Sequence, residues 1–177
     1  RKILAGEISQ CFASLNREMA KDKTLKLNFK PTIKISKKEL ASLDEKSKVF
    51  GCAPSQNINP KSRNSVKIKD PQKYMYRSAG GHIHIGKLPG SNGLDQVAVI
   101  LREPERLITI MDIIVGNTCV LLDRDPSNKE RRKVYGKAGE YRTPTHGIEY
   151  RTLSNFWLRS YPLMSFVMSL SRLSVTI

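Results

Sequence analysis

Apolar and polar residues alternate through residues 77–86, which is the period-two pattern of a half-buried strand. Successive side chains of a strand point to opposite faces of the sheet. We therefore expect His82 and His84 on one face and Ile83 and Ile85 on the other.

Two glycines, Gly80 and Gly81, come just before this histidine pair. Residues without a side chain suit a bulge or the close approach of a ligand to the backbone. Two imidazoles beside bare backbone suit a metal or phosphate site, but a histidine pair taken alone is more often solvated or capped by hydrogen bonds. The pattern leaves both interpretations open.

Helical spacing of apolar residues marks both ends of the chain and one central segment. Residues 3–19 predict an amphipathic helix packed on the core, residues 104–116 a buried helix opened by Pro104, and residues 162–173 a packing helix. Ser36 and Glu39 form a capping-box signature for a short helix to about Leu43. The N-terminal stripe is Leu4, Ile8, Phe12, Leu15 and Met19, and the C-terminal one is Leu163, Phe166, Val167, Leu170 and Leu173.

Shorter alternating runs predict further strands. Residues 25–35 predict one or two strands with a basic outer face, interrupted at Pro31, and residues 119–122 predict a short strand. Residues 147–153 predict another strand, in which Glu149 and Arg151 share a face. Residues 44–72 are rich in polar residues and proline and predict a long loop, and residues 87–95 predict a turn region.

Composition adds an unusual charge to an otherwise ordinary profile. The chain has 177 residues, of which 39% are hydrophobic and 27% charged, as in a single domain of residues 1–177. The net charge of +15 favours polyanions as partners without saying which. Three scattered cysteines and the absence of a long apolar tract predict a reducing compartment, the cytoplasm, and no membrane association.

A dense charged run extends from residue 123 to residue 142 and contains Arg131, Arg132, Lys137 and Arg142 among glycines. Open backbone amides and planar guanidinium groups recognise phosphate or carboxylate. A surface loop with excess charge has the same composition, so spacing alone does not decide between them.

Three segments together resemble a known family. The Gly-His-Ile-His segment at residues 81–84, the run Arg-Arg-Lys-Val-Tyr-Gly-Lys-Ala-Gly-Glu-Tyr-Arg at 131–142, and Gly-Ile-Glu-Tyr-Arg at 147–151 are similar to segments of the phage-type amidoligases. These are carboxylate–amine ligases related to glutamine synthetase. The resemblance covers about residues 51–157 and is fainter before them.

The resemblance implies an α+β fold: a mostly antiparallel, curved sheet with helices on one face, as in the glutamine-synthetase catalytic domain. It implies an ATP-dependent ligase that forms an amide or peptide bond through an acyl phosphate, with Mg²⁺ or Mn²⁺ as cofactor and carboxylate and amine substrates. It also implies further metal-binding carboxylates on a strand before Arg1, so we expect this chain to be a piece that lacks its first strand or strands.

Roles for individual residues follow from the same resemblance. It implies His82 and Glu149 as metal ligands, Arg142 and Arg151 as catalytic residues with Arg151 also binding substrate, and His84 near the nucleotide phosphates. Further nucleotide contacts are expected from Arg131, Arg132 and Lys137.

Two other hypotheses remain open. One is a nucleic-acid- or polyanion-binding protein that uses the lysines between residues 26 and 38, although no recognisable nucleic-acid module is present. The other is a metal-dependent hydrolase built on the histidine pair, which lacks an obvious general base. If the chain is phage-encoded, its compartment is the host cytoplasm, and because relatives often assemble, a homo-oligomer is a further expectation.

Overall fold

The computed structural model describes residues 2–49, 55–59, 70, 73–86 and 101–177, with side chains omitted at residues 2–5 and 8. The helices are α1 Lys2–Met19, α2 Lys37–Ser42, α3 Glu45–Lys48, α4 Pro104–Met111, α5 Asn117–Leu122, α6 Asn128–Val134 and α7 Tyr161–Thr176, with a π-helical segment Asp112–Gly116 and a 3-10 helix Asn155–Arg159. The strands are β1 Thr32–Lys34, β2 Gln56–Asn57, β3 Tyr76–Ser78, β4 Ile83–Gly86, β5 Glu140–Arg142 and β6 Gly147–Tyr150.

Four of these strands form an antiparallel sheet in the order β2-β5-β6-β4. A separate antiparallel pair joins β1 to β3. The α+β class predicted from the sequence is therefore confirmed, with antiparallel pairing throughout the described strands. Neighbours in the four-stranded sheet include β4 and β6, which lie more than 60 residues apart in the chain.

One face of the four-stranded sheet packs on the helices. Ile83, Ile148 and Tyr150 point to this face and are at most 4% exposed. They form one hydrophobic cluster with residues of α4, the π-helical segment and α7, among them Ile108 and Val167. Burial of this face fixes the register of β4 and β6, because a slip by one residue would turn their apolar side chains to the opposite face.

The π-helical segment attaches this core to β6. Asp112 accepts a 2.6 Å hydrogen bond from the Tyr150 hydroxyl and a 3.3 Å bond from the Thr152 hydroxyl. Burial raises the pKa of the Asp112 carboxyl, against the lowering effect of these hydrogen bonds. Gly116 is required nearby, since a Cβ there would lie 2.5 Å from the Tyr150 hydroxyl. Tyr150 is thus held from behind, and its neighbour Glu149 faces the other side of the sheet.

Several predicted elements are confirmed. The helix over residues 104–116 begins at Pro104 and buries Leu107, Ile108 and Met111. The capping box at Ser36 and Glu39 forms at the start of α2. Within residues 44–72 the structure has α3 and β2, while residues 50–54, 60–69 and 71–72 lie outside the described residues, as does the predicted turn at 87–95.

Other predictions are wrong in an informative way. Residues 119–122 belong to helix α5, because helix α4 continues through the π-helical segment into α5. Among the residues of α5, Cys119 is the buried one. Residues 25–30 form no strand, and β1 buries Thr32 while Ile33 is 42% exposed.

The two apolar stripes are also placed differently than predicted. In α1, Leu15 is 43% exposed, and the Phe12 ring contacts the Phe29 ring in a tilted arrangement outside the main cluster. In α7 the buried side is Met164, Val167, Ser171 and Ser174, while the predicted Phe166 and Leu173 are 44% and 48% exposed. Of the predicted stripe, Val167 is buried and Leu163 and Leu170 pack partly against the core. Small serines occupy the rest of the buried side, and Phe166 and Leu173 are left outside. None of the helices in the described part of the chain is both long and apolar enough to cross a membrane.

The helical layer supplies a matched pair of variants. Ile108 is 0% exposed, whereas Ile113, five residues later, is 62% exposed. We expect Ile108→Ala to lower the free energy of unfolding by about 2–5 kcal/mol, because it leaves a cavity in the core. Ile113→Ala is expected to change it by less than about 0.5 kcal/mol. Urea unfolding of both variants checks this, and equal losses would contradict the burial described above.

Candidate functional site

The polar face of the four-stranded sheet gathers the candidate residues around Glu149. In the antiparallel register, Glu149 lies opposite His84 on one side and opposite Arg142 on the other. Directly opposed residues project to the same face. Two segments that are distant in the chain therefore meet here, as expected if residues of both belong to one site.

Glu149 is 2% exposed, and each of its carboxylate oxygens contacts positive or polar donors. One oxygen, Oε2, accepts from Arg142 Nε at 2.7 Å and from Arg142 Nη2 at 2.6 Å. The other, Oε1, lies 2.6 Å from His82 Nδ1 and 3.6 Å from Arg151 Nε. Burying an unpaired carboxylate would cost several kcal/mol, so these partners are what permits the burial.

The partners also keep Glu149 ionised. Burial alone would raise the pKa of this carboxyl. The hydrogen bonds from Arg142 and the neighbouring charges outweigh burial and lower the pKa below its ordinary value of 4.5. Glu149 is therefore a fixed negative charge surrounded by two guanidinium groups at neutral pH.

His82 is neutral in this arrangement. Burial, together with the positive charge of Arg151, lowers the pKa of the imidazole from 6.5 to about 4. The Nδ1–H group therefore donates to ionised Glu149, and the lone pair on Nε2 accepts from the Tyr135 hydroxyl at 3.1 Å. The result is a chain of hydrogen bonds from Tyr135 through His82 to Glu149.

Tyr135 lies under the guanidinium groups of two arginines. The guanidinium carbon of Arg131 lies 4.3 Å from the centre of the Tyr135 ring, and that of Arg151 lies 5.3 Å from it. Both distances are within the range of cation–π attraction. The ring is therefore held by two guanidinium groups and, at its hydroxyl, by His82.

Arg131 is fully buried and holds the segment that follows β6. Its guanidinium group donates to the carbonyl oxygens of Arg151, Thr152 and Leu153 at 3.1, 2.9 and 2.5 Å. Gly136 makes room for it, since a Cβ there would lie 2.1 Å from Arg131 Nη1. These contacts favour a positioning role for Arg131 over the predicted direct contact with a nucleotide.

Gly80 and Gly81 are explained by side chains of the protein. A Cβ at Gly80 would lie 2.1 Å from the Tyr135 hydroxyl and 2.4 Å from His82 Nε2. A Cβ at Gly81 would lie 2.3 Å from Trp157 Nε1, which donates to the Gly81 carbonyl. The close approach expected from the sequence is therefore present, but tyrosine and tryptophan make it.

The remaining predicted residues lie around this cluster. His84 is exposed, and its ring contacts His146 instead of Glu149. Arg132 in α6 and Lys137 between α6 and β5 are half-buried and are not among the contacts of Glu149.

The described residues do not by themselves fit a magnesium ion. Magnesium prefers six ligands, mostly oxygen, in octahedral geometry. The two predicted ligands, His82 and Glu149, contact each other, and both oxygens of Glu149 already face cations. Nowhere in the described ranges do three His, Cys, Asp or Glu side chains form a group that would hold a metal. Metal binding by this pair stays a prediction that needs ligands beyond the described ones.

Sequence reasoning missed two residues of the site. Tyr135 was part of the charged run, but its position under two arginines depends on the tertiary structure. His146 precedes β6 and received no role, although it contacts His84. No local pattern marks either residue, because their partners are 53 and 62 residues away in the chain.

Comparison with known proteins gives one match. A family model described as phage phiEco32-like COOH.NH2 ligase-type 2 matches residues 70–176, more than half of the 177 residues. The match includes Glu149 and its three charged or imidazole partners, His82, Arg142 and Arg151, which together are called the Glu149 cluster. No curated protein and no solved structure gives a significant match to the chain.

The half-buried imidazole of His82 makes the stability of the protein depend on pH. Between pH 6.5, the ordinary pKa, and about 4, the folded value, the unfolded chain binds one proton that the folded chain does not bind. The free energy of unfolding therefore falls as the pH is lowered through this window, by up to about 1.4 kcal/mol per unit from this group. We expect His82→Gln to flatten this slope between pH 6.5 and 5 in urea unfolding, and the exposed control His84→Gln to retain it. Equal slopes in all three proteins would contradict the assignment.

The close approach at Gly80 is testable in the same assay. Gly80→Ala forces Tyr135 or His82 to move, which is expected to cost about 1–3 kcal/mol of stability, as overpacking does elsewhere. Gly6→Ala is the matched control, since a Cβ at Gly6 would meet nothing within 4 Å. In helix α1 this change is expected to stabilise by about 0.5–1 kcal/mol. A Gly80→Ala variant as stable as the parent protein would show that the site tolerates a side chain there.

Proposed function

The chain belongs to the family of phage phiEco32-like COOH.NH2 ligases, type 2, and on that premise we propose that it joins a carboxylate to an amine at the expense of ATP. The family is one of carboxylate–amine ligases. The proposal adds ATP dependence, an acyl-phosphate intermediate and the Glu149 cluster as the catalytic centre. The observation that carries it is the meeting of Glu149, His82, Arg142 and Arg151 on one sheet face inside the matched region.

The chemistry explains why a nucleotide is needed. A carboxylate does not condense with an amine in water, because its oxygen is a poor leaving group. In the proposed first step a carboxylate oxygen forms a bond to the γ-phosphorus of ATP, and the bond from that phosphorus to the bridging oxygen of ADP breaks. In the second step the amine attacks the acyl carbon, phosphate leaves, and the amine loses a proton to water.

Phosphoryl transfer depends mainly on positioning and on neutralising charge. Arg142 suits this task, because its guanidinium group is oriented by two contacts to Glu149 while its side chain remains 31% exposed. Arg151, with a side chain only 3% exposed, contributes positive potential beside Glu149. Arg132 and Lys137 are retained as candidate contacts for the nucleotide phosphates. When bound, a divalent cation would neutralise phosphate charge.

The hydrogen-bond chain supports a fixed geometry. Glu149 orients Arg142 through one carboxylate oxygen and His82 through the other. His82 in turn accepts a hydrogen bond from the Tyr135 hydroxyl. Preorganised groups of this kind need little rearrangement when charge develops in a transition state. His82 and Glu149 are thereby proposed to position the arginines, in addition to the metal-binding role that the resemblance implies.

A second candidate function rests on exposed lysines. Lys26, Lys30 and Lys34 are exposed, as are Lys37 and Lys38 at the start of α2. These residues would attract a polyanion such as a nucleic acid, with binding that weakens steeply as salt increases.

The test combines ATP, Mg²⁺ or Mn²⁺, a panel of carboxylates and hydroxylamine as the amine. Hydroxamate formation, with phosphate release that requires both substrates, is the expected result. Arg142→Ala is expected to lower the rate by on the order of a hundredfold, since it removes a charge-stabilising donor. Arg106→Ala is the matched control, because Arg106 is exposed and its partner among the described residues is nearby Glu103.

Two outcomes would count against the proposal. Phosphate release that is indifferent to the carboxylate and the amine would indicate a hydrolase. A rise in melting temperature with duplex DNA, without a rise with ATP, would favour the polyanion hypothesis.

A further inference from the structure

A cavity of about 500 Å³ opens on the polar face of the sheet, beside Glu149. Its size is within the range of sites for small molecules. Strands β2, β4, β5 and β6 and the turn between β5 and β6 contribute to its wall. The polar lining consists of Gln56, His84, Arg142, Thr143, His146 and Glu149.

Two imidazoles form one side of this cavity. The rings of His84 and His146 are stacked, with centroids 5.3 Å apart and planes inclined by 25°. His84 Nδ1 lies 3.0 Å from His146 Nε2, a distance that requires one ring to donate and the other to accept. At least one ring is therefore neutral in this arrangement. The second nitrogen of each ring has no hydrogen-bond partner within the described ranges and remains available to a ligand.

The charge of the lining selects among anions. Arg142 and Glu149 contact each other and cancel in formal charge. The histidine pair carries at most one positive charge, and Gln56 and Thr143 add uncharged polar groups. Such a lining suits one negative charge, such as a carboxylate. A triphosphate would need several positive charges in excess, which these residues do not supply.

We propose that this cavity binds the acceptor carboxylate, in a molecule of about amino-acid size, and that His146 is a substrate-binding residue. The word acceptor rests on the ligase function proposed above, whereas the binding of a small carboxylate stands on the cavity alone. This assignment moves His84 from the nucleotide phosphates to the carboxylate. Arg142 lines the cavity, and Glu149 orients its guanidinium group.

The chain has three histidines, so nuclear magnetic resonance of the imidazole groups resolves the site directly. The probes are L-glutamate, acetate and inorganic phosphate, each compared with sodium chloride at the same ionic strength. The expected result is a saturable shift of the His84 and His146 signals with L-glutamate or acetate. His146→Ala is expected to weaken the binding of L-glutamate about tenfold, as for the loss of one hydrogen bond to a charged group.

Thr145→Ala is the matched control, because Thr145 is the exposed neighbour of His146 and does not line the cavity. It is expected to bind L-glutamate as the parent protein does. Shifts with phosphate alone, shifts that sodium chloride reproduces, or L-glutamate binding unchanged by His146→Ala would each overturn the assignment.

The ligase assay separates this inference from the proposed function. If amide forms but His146→Ala leaves KM for the carboxylate unchanged, the assignment of the cavity fails and the function stands. If L-glutamate binds at His146 but no amide forms with any amine tested, the function fails and the carboxylate site stands.

Discussion

A buried carboxylate needs partners, and the architecture around the site follows from that need. Glu149 is 2% exposed on the polar face of the sheet, where its two oxygens contact Arg142, Arg151 and His82. Two of these partners are themselves held in place: His82 by the Tyr135 hydroxyl, and the backbone of Arg151 by the buried Arg131. Removing one member of such a buried group typically leaves an uncompensated charge, so the cluster behaves as a unit.

The support extends beyond the charged residues. Arg131 holds the backbone from residue 151 to residue 153 through three hydrogen bonds to carbonyl oxygens, and this fixes the position of Arg151. Gly136 and Gly80 leave the space that Arg131 and Tyr135 occupy. On the core side of the sheet, the Tyr150 hydroxyl donates a hydrogen bond to Asp112 of the π-helical segment, and this bond holds β6 in place. Rigid elements thus position the arginines before any ligand binds.

This arrangement separates two kinds of environment on one sheet face. Around His82 the site is enclosed, and burial keeps the imidazole neutral. Around His146 it is open, with exposed imidazoles beside a cavity of about 500 Å³. Arg142 lies at the border, since it contacts Glu149 and also lines the cavity. In the function proposed above, this position lets one guanidinium group face both the enclosed cluster and the open cavity.

The sequence by itself determined what local pattern encodes: the strand that follows His82, the strand that carries Glu149, and the helix from Pro104. The single strand predicted over residues 77–86 is instead divided into β3 and β4, with His82 in the connection just before β4. The sequence also carried the family resemblance. Only the tertiary structure decided that Arg131 is buried, that Tyr135 contacts His82, and that the serine side of α7 packs inward. The physical reason is range. Periodicity reports which face of an element is apolar, whereas burial and hydrogen bonding depend on partners far away in the chain, which no local pattern specifies.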